Sequence, residues 1–357
     1  MKANDDQTGA AQSLELSYPM QTQPGTGDAS AVEVRPGVLW LRMPLTGSLK
    51  WINIWHIAEA EGSAVVDTGL YSPQTVDAWQ ALLPAMRSGG VKRVIATHMH
   101  PDHCGMAGWI AKETGAQLWM SRLEYLTCRL MAADTGHAAP PEGIHFCQAA
   151  GWDSEAIGRY KAQFGSFGKM IYPMPAAYRR IQDGDVLALG AHEWRVVIGS
   201  GHSPEHACLY CPDLKLFISG DQVLPKISSN VSVWPTEPDA DPLGDWLTSL
   251  ARIKQHVPSD VLVLPAHNAP FRGLHARVDH LINGHRLNLS RLEDALATPR
   301  RAIDVFDRLF SRPITPDVLS MATGEAIAHL NHLSRTGRVV RSSDSAGVWW
   351  WRQAPQN

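Results

Sequence analysis

Three histidines and one aspartate lie within a six-residue stretch of the 357-residue chain. The stretch reads H-M-H-P-D-H at positions 98–103 and follows an apolar run. Imidazole nitrogens and carboxylate oxygens are the ligands that a divalent cation such as zinc prefers. In an extended loop alternate side chains project to the same side, so His98 and His100 can face one point. Asp102 and His103, after the turn, can face a second point nearby. We therefore expect this stretch to bind metal.

Three further candidate ligands, His202, Asp221 and His267, occur later in the chain, and each follows an apolar run that is typical of a strand. Functional groups are often placed on loops at the ends of strands, where a rigid sheet holds them. Together with the first stretch, these residues make five histidines and two aspartates. A group of this composition predicts a metal centre with more than one ion.

The motifs around these residues resemble those of the metallo-β-lactamase superfamily. H-x-H-x-D-H at 98–103 is followed by G-H-S-P-x-H at 201–206, S-G-D at 219–221 and P-x-H at 265–267. The resemblance extends over about residues 32–300 and includes every metal-binding motif of the family. It implies a hydrolase with an αββα sandwich, an α/β fold in which a dinuclear site lies in the cleft between two sheets.

The resemblance also implies a role for each residue. The first metal would be held by His98, His100 and His202, the second by Asp102, His103 and His267, and Asp221 would bridge the two. Asp67, in the V-V-D-T-G motif at 65–69, would support the site from behind the ligands, and His206 is expected to support or pack against them. The implied cofactors are two divalent ions, zinc as the first choice, with iron or manganese as alternatives.

A mechanism follows from the charges of two neighbouring cations. They share a water molecule and lower its pKa toward about 7, which gives a metal-bound hydroxide at neutral pH. Asp102 is the catalytic candidate, because it can orient the hydroxide and later carry a proton. The sequence contains no G-x-S-x-G motif, and this chemistry requires no serine or cysteine nucleophile.

The preferred substrate is a thioester or related small ester, free or carrier-linked, with an acyl-CoA as the first choice. An RNA-directed ribonuclease or phosphodiesterase is the first alternative, because similar proteins with a winged-helix domain include ribonucleases. A non-enzymatic winged-helix DNA-binding regulator is the second, and an iron oxygenase the third. The formal charge of −3 disfavours a nucleic-acid partner. Hydrolysis of β-lactams is not expected, since many such enzymes carry cysteine where Asp221 stands.

Strands that alternate with helices must position these ligands, which indicates an α/β domain over residues 32–298. Within it, residues 124–180 are helical in patches, rich in aromatic residues and broken by proline, which favours a lid over the site. Four residues are candidates for the substrate pocket: Tyr172 and Tyr178 in the lid, and Asn230 and Trp234 in the loop after Asp221.

The remaining segments predict a flexible polar tail over residues 1–31 and a winged-helix-like domain over residues 299–357. The last strand contains three consecutive tryptophans at 349–351, of which we expect at least one to be buried against the catalytic domain or a second copy in a homodimer. No apolar signal segment or membrane span is found, which predicts a cytoplasmic protein with no membrane partner. The five cysteines do not suggest disulfides.

Overall fold

A computed structural model describes residues 16–47, 49–86 and 89–355. Two β-sheets pack face to face, and helices cover the outer surface of each sheet. The α/β fold and the layered αββα arrangement predicted from the sequence are therefore confirmed.

The first sheet joins, within the described residues, seven strands in the order of the chain. The strands are β1 (Val32–Arg35), β2 (Val38–Pro44), β3 (Trp51–Glu59), β4 (Gly62–Val66), β5 (Val91–Ile95), β6 (Gln117–Met120) and β7 (Arg179–Arg180). Strands β1 to β4 are antiparallel to their neighbours, whereas β4 to β7 run parallel. Parallel neighbours require crossovers, and helices supply them.

The second sheet has the order β12-β11-β10-β9-β8 among the described residues. Its strands are β8 (Val186–Leu189), β9 (His192–Gly199), β10 (His206–Cys211), β11 (Leu216–Gly220) and β12 (Leu262–Pro265). A separate hairpin near the end of the chain pairs β13 (Val339–Ser343) with β14 (Trp349–Gln353).

The helices follow the periodicity of the sequence. They are α1 (Pro73–Leu82), α2 (Pro101–Cys104), α3 (Ala107–Thr114), α4 (Arg122–Ala133), α5 (Pro141–Ala149), α6 (Ser154–Gln163), α7 (Pro242–His256), α8 (Leu274–Ala295), α9 (Phe306–Leu309) and α10 (Leu319–Arg335). Short 3₁₀ turns occupy Leu83–Ala85, Phe167–Met170 and Ala302–Val305. Local signals set several ends: the Ser72 side chain caps α1, and Gly115, with φ of 74°, ends α3.

Apolar side chains form three buried clusters in the described part of the chain. One lies between the sheets and contains Trp40, Trp55 and Trp194. A second lies between the first sheet and the helices α1, α3 and α4. The third lies on the outer face of the second sheet, among α7, α8 and α10. Cys208 belongs to this outer cluster and Cys211 to the cluster between the sheets, so the two thiols lie on opposite faces of β10.

The predicted lid, residues 124–180, is mostly helical and contains α5, α6 and most of α4. Its last two residues differ from the expectation, because Arg179–Arg180 pairs in parallel with β6 and extends the first sheet by one strand. A two-residue polar strand has no recognisable apolar pattern. Its pairing depends on the neighbouring strand, whose edge would otherwise carry unpaired backbone groups.

As far as the structure describes the C-terminal region, its buried apolar residues belong to a cluster shared with the α/β part of the chain. Ala302, Val305 and Trp351 are buried in the same cluster as Trp246 and Val263. Trp351 is fully buried, which confirms that at least one of the three tryptophans is covered. The domain boundary after residue 298 and the winged-helix character of residues 299–357 remain predictions.

Residues 1–15 of the predicted tail lie outside the described residues. Its later part contacts the α/β domain: Ser17 forms an isolated bridge with Arg272, and the Gln23 side chain accepts a hydrogen bond from Arg42 at 2.8 Å. Composition alone did not predict these contacts. Among the described residues, no helix is both long enough and apolar enough to cross a bilayer.

Candidate metal centre

The seven predicted ligands meet in one place, beyond the ends of β5, β9, β11 and β12. His98 Nε2 lies 2.9 Å from His100 Nδ1 and 3.3 Å from His202 Nε2. On the other side, His267 Nε2 lies 3.4 Å from an Asp102 oxygen and His103 Nε2 lies 3.7 Å from it. The stretch 98–103 follows a strand of the first sheet, whereas His202, Asp221 and His267 follow strands of the second sheet. The centre therefore lies where the two sheets face each other.

Asp221 stands between the two halves of this centre. Its Oδ2 is 3.5 Å from His202 Nε2, whereas its Oδ1 is 3.5 Å from His267 Nε2 and 3.6 Å from His103 Nε2. Three groups could each hold a metal ion, with their ligand atoms within 4.8 Å of one another: His98 with His100 and His202, His98 with His103 and Asp221, and Asp102 with His103 and His267. The carboxylate of Asp221 can therefore reach ligands in both halves.

The surroundings of two buried atoms indicate whether a cation fits the centre. His103 Nε2 and Asp221 Oδ1 are buried and have no hydrogen-bond partner among the described residues. Buried polar atoms are normally satisfied, and an unpaired one needs an explanation. A divalent cation bound by both atoms would satisfy them, and imidazole with carboxylate is a donor combination that zinc, iron and manganese accept. The residues present therefore fit the implied metal.

Asp67 and Thr97 orient two of the histidines. Asp67 accepts hydrogen bonds from the Thr97 backbone N–H at 2.8 Å, from the Thr97 hydroxyl at 2.9 Å and from His103 Nδ1 at 2.8 Å. The same hydroxyl lies 3.1 Å from His98 Nδ1. When Nδ1 of an imidazole donates to such a partner, its Nε2 is left with a lone pair for a metal. The supporting role of Asp67 stays a prediction.

Backbone carbonyl groups orient two more candidate ligands. His202 Nδ1 donates to the Asn230 oxygen at 2.7 Å, and His267 Nδ1 donates to the Trp51 oxygen at 3.3 Å. Asn53 fixes the loop around His267, because its Nδ2 donates to the oxygens of Pro265 and Asn268 at 2.8 and 2.6 Å. Ordinary sequence motifs contain no signal for such backbone partners.

His206 lies behind the candidate ligands. Its Nε2 accepts a hydrogen bond from the Asp221 backbone N–H at 3.1 Å, and its ring stacks on His98 with 4.7 Å between the ring centroids. This arrangement explains Gly220, since a Cβ atom there would lie 2.5 Å from the His206 ring. Gly220 therefore allows the ring to support both a ligand and the loop that carries Asp221.

Burial favours the neutral form of all three histidines in the first group, His98, His100 and His202. It lowers the pKa of His98 well below the ordinary value, and neighbouring histidines lower it further. Burial also lowers the pKa of His100 to about 3. Burial lowers the pKa of His202 in the same way, although Asp221 opposes the effect. Neutral imidazoles present lone pairs, as metal ligands must.

In the second group, which contains Asp102, His103 and His267, neighbouring charges outweigh the effect of burial on the pKa values of Asp102 and His103. Burial acts against the charge of His103, but Asp102, Asp67 and Asp221 outweigh it and hold the pKa of His103 well above its usual range. Burial would raise the pKa of Asp102, but His103 and His267 lower it to about 2. Asp102 is therefore ionised and attracts positive charge. A cation bound here would replace the proton of His103, so metal binding should release protons.

Glu124 is a residue of this region that sequence reasoning missed. Its side chain is fully buried, with Oε2 accepting from Met99 N–H at 2.9 Å and Oε1 from Glu205 N–H at 2.7 Å. Met99 lies between His98 and His100, and Glu205 lies in the loop of His202. Glu124 thus joins two ligand-bearing loops. The sequence feature that could have identified Glu124 is that it is a carboxylate on the same face of α4 as the buried Tyr125 and Cys128.

The four pocket candidates lie in different surroundings. The Tyr172 ring packs edge-on against Tyr71 at 5.4 Å, and the Tyr178 ring stacks on Tyr125 at 3.8 Å. Asn230 is next to the metal centre through its backbone oxygen, and Trp234 is 38% exposed in the same loop. The structure thus brings Asn230 to the seven candidate ligands, whereas the Tyr172 and Tyr178 rings each pack against another tyrosine ring.

Comparison with family models gives two matches. Residues 52–267 match the model described as the metallo-β-lactamase superfamily. Residues 289–354 match the model described as the metallo-β-lactamase-like C-terminal domain. The first match contains all seven candidate ligands.

Three individual proteins show the range of similarity. A crystal structure of a β-lactamase domain protein from Burkholderia ambifaria is 36% identical, covers 95% of this chain and 98% of that chain, and superposes with a TM-score of 0.81. A probable metallo-hydrolase of Bacillus subtilis is 24% identical, with 88% of this chain and 95% of that protein covered. An acyl-coenzyme A thioesterase of Gallus gallus is 25% identical, with 65% of this chain and 77% of that protein covered.

Proposed function

Because this chain belongs to the metallo-β-lactamase superfamily, we propose that its seven-residue centre binds two divalent cations and hydrolyses a thioester of the acyl-CoA class. One observation carries the proposal: seven side chains from both sheets converge, and two of their buried atoms, His103 Nε2 and Asp221 Oδ1, have no hydrogen-bond partner among the described residues. The family supports hydrolysis, and the substrate class is the finer part of the proposal.

The ligand assignment uses the geometry of the two halves. We assign one cation to His98, His100 and His202, the other to Asp102, His103 and His267, and Asp221 to both. Zinc is the first choice, since five of the seven donors are imidazoles. When bound, such cations lower the pKa of an attacking water and polarise the carbonyl oxygen of the ester.

The protein itself would position the reactants and move one proton. Asp102 is partly accessible, with 24% of its side chain exposed, so a water molecule can reach its carboxylate. We assign it the role of orienting that water and accepting its proton. As the water oxygen bonds to the carbonyl carbon, the carbon–sulfur bond breaks, and the proton passes from Asp102 to the leaving sulfur.

Two observations support a thioester substrate. The acyl-coenzyme A thioesterase of Gallus gallus is 25% identical to this chain in a match that covers 65% of this chain. Residues near both ends of the segment 124–180 also lie beside the centre: Glu124 joins two loops that carry candidate ligands, and Tyr172 N–H donates to Gly105 O at 2.8 Å, directly after α2. We propose that residues 124–180 form one wall of the cleft and restrict the acyl groups that enter.

A substrate panel tests this proposal. Zinc-loaded protein is incubated with acyl-CoAs of several chain lengths, S-acylglutathione, a lactone, a phosphodiester and RNA, and the released thiol or product is measured. We expect thioester turnover that a chelator abolishes and zinc restores, with the Asp221→Ala protein as the inactive control. Faster turnover of the phosphodiester or RNA would overturn the substrate class in favour of the nuclease alternative. Wild-type protein that binds no metal would overturn the centre itself.

A further inference from the structure

The segment 228–234, which follows Asp221 in the chain, touches two of the proposed ligands. Ser229 Oγ donates a hydrogen bond to the backbone oxygen of Asp221, and the backbone oxygen of Asn230 accepts from His202 Nδ1 at 2.7 Å. Because Nδ1 of His202 is fixed in this way, its Nε2 turns toward His98 and Asp221. The position of Asn230 therefore determines how His202 faces the centre.

Helix α10, in the C-terminal region, holds this segment through three successive contacts. Val233 N–H donates to Gly324 O at 3.0 Å, and Ser232 Oγ donates to Met321 O at 3.2 Å. The Nδ2 of Asn230 donates to the Glu325 carboxylate at 2.8 Å, across 95 positions in the sequence. Asn230 therefore connects helix α10 to His202, a proposed ligand of the centre.

Gly324 allows the close approach of the helix. A Cβ atom at this position would lie 2.7 Å from the backbone oxygen of Val233 and 2.8 Å from the Cβ of Ser232. Glycine inside a helix costs about 1 kcal/mol relative to alanine, so its presence within α10 requires a compensating contact. The segment 228–234 supplies that contact.

Glu325 is a carboxylic residue at a buried position of α10, which is unusual. It is 5% exposed, in a helix whose neighbouring residues are buried and mostly apolar. Burying a carboxyl group is unfavourable unless hydrogen bonds compensate it. Its bond from Asn230 is directed at the residue that orients His202, which suggests a role in positioning.

We propose that Gly324 and Glu325 are positioning residues of the metal centre, which hold Asn230 so that its carbonyl oxygen orients the His202 imidazole. The C-terminal region then completes the site, although it contributes no ligand. This inference rests on the metal centre proposed above, and it is independent of which ester is hydrolysed. Partners that orient a ligating histidine typically contribute 10- to 100-fold to metal affinity.

The test uses variants of the full chain. Glu325→Ala removes the acceptor, Gly324→Ala pushes the segment away, and Glu325→Gln keeps an oxygen that can accept from Asn230. The matched control is Asn331→Ala: Asn331 is also 5% exposed on α10, but it donates to the oxygens of Pro238 and Ala240 at 3.0 and 2.9 Å. Zinc affinity is measured by competition with a chromophoric chelator, and the cobalt-substituted proteins are compared by their visible absorption spectra.

We expect Glu325→Ala and Gly324→Ala to weaken the binding of one zinc ion by about 10- to 100-fold and to change the cobalt spectrum. Glu325→Gln and Asn331→Ala should match the wild type. Unchanged affinity in Glu325→Ala, or equal loss in Asn331→Ala, would overturn the inference while leaving the centre and its activity intact. If Glu325→Ala does not fold, the zinc affinity of Asn230→Ala tests the inference instead. That substitution removes the side chain that Glu325 holds and leaves α10 unaltered. Wild-type affinity in that variant would equally overturn the inference.

Discussion

The carboxylate of Asp67 and the imidazole of His103 face each other at 2.8 Å, although 36 positions separate them in the sequence. Asp67 follows β4 with φ of 62°, in the left-handed region that few residues other than glycine adopt, although aspartate tolerates it better than most. This backbone conformation is maintained where the side chain orients a proposed ligand. Strained conformations commonly persist at functional sites for such a reason.

Asp67→Asn should weaken metal binding by about 10- to 100-fold. Both oxygens of Asp67 accept hydrogen bonds, whereas asparagine offers one oxygen and an NH₂ group that would face a donor. Zinc content after dialysis and affinity in chelator competition measure the effect. Asp77→Asn, at an exposed position, is the control. Equal zinc affinity in the two variants would show that Asp67 does not orient a ligand.

Glu124→Gln should destabilise the protein by about 1–3 kcal/mol and lower its zinc content. The two oxygens of Glu124 accept from Met99 and Glu205, and the amide of glutamine would direct a donor at one of these N–H groups. Denaturant unfolding of the zinc-loaded proteins gives the free-energy change. Glu113→Gln, at an exposed position, should behave as wild type. A stable variant with full zinc content would mean that the two ligand loops do not depend on this carboxylate.

Stability should depend on pH through Glu325, because burial raises its pKa from 4.5 to about 7. The folded state then holds this proton more tightly than the unfolded state, so the stabilisation is present at low pH and is lost as pH rises toward 7 and above. Glutamine cannot ionise. Glu325→Gln should therefore gain stability over the wild type between pH 5 and pH 8, by up to about 3 kcal/mol.

The check is a series of zinc-saturated unfolding curves for the wild type and Glu325→Gln across this pH range. Glu142→Gln, on the surface of α5, controls for the loss of an ordinary carboxylate. A stability difference that does not change with pH would show that Glu325 has no raised pKa in the folded protein.

Trp351→Ala should cost about 3–5 kcal/mol, as is usual when a large buried side chain is removed. Trp351 is fully buried in the cluster shared with Trp246, and its backbone exchanges two hydrogen bonds with Arg300 at 2.8 and 2.9 Å. Trp350 is partly exposed, so Trp350→Ala should cost less. Circular dichroism and fluorescence should report one common unfolding transition. Two separate transitions would mean that the C-terminal region folds on its own.

The sequence by itself determined the candidate ligands and the order of the main elements. His98, His100, Asp102 and His103 are close in the chain, so their spacing alone suffices to predict a shared site. Apolar runs before His202, Asp221 and His267 predict strands, and the structure places strands there. These signals are local, because a strand and the residue that follows it are read from neighbouring positions.

The tertiary structure decided which other residues support that site. Glu124 reaches Met99 and Glu205, and Glu325 reaches Asn230, through hydrogen bonds between segments 25 to 95 positions apart. Such contacts depend on how helices dock against loops, and they produce no periodicity or spacing in the sequence. For the same reason, alternation along β14 predicted that at least one tryptophan is buried, but the packing of the hairpin against the third cluster decided that it is Trp351.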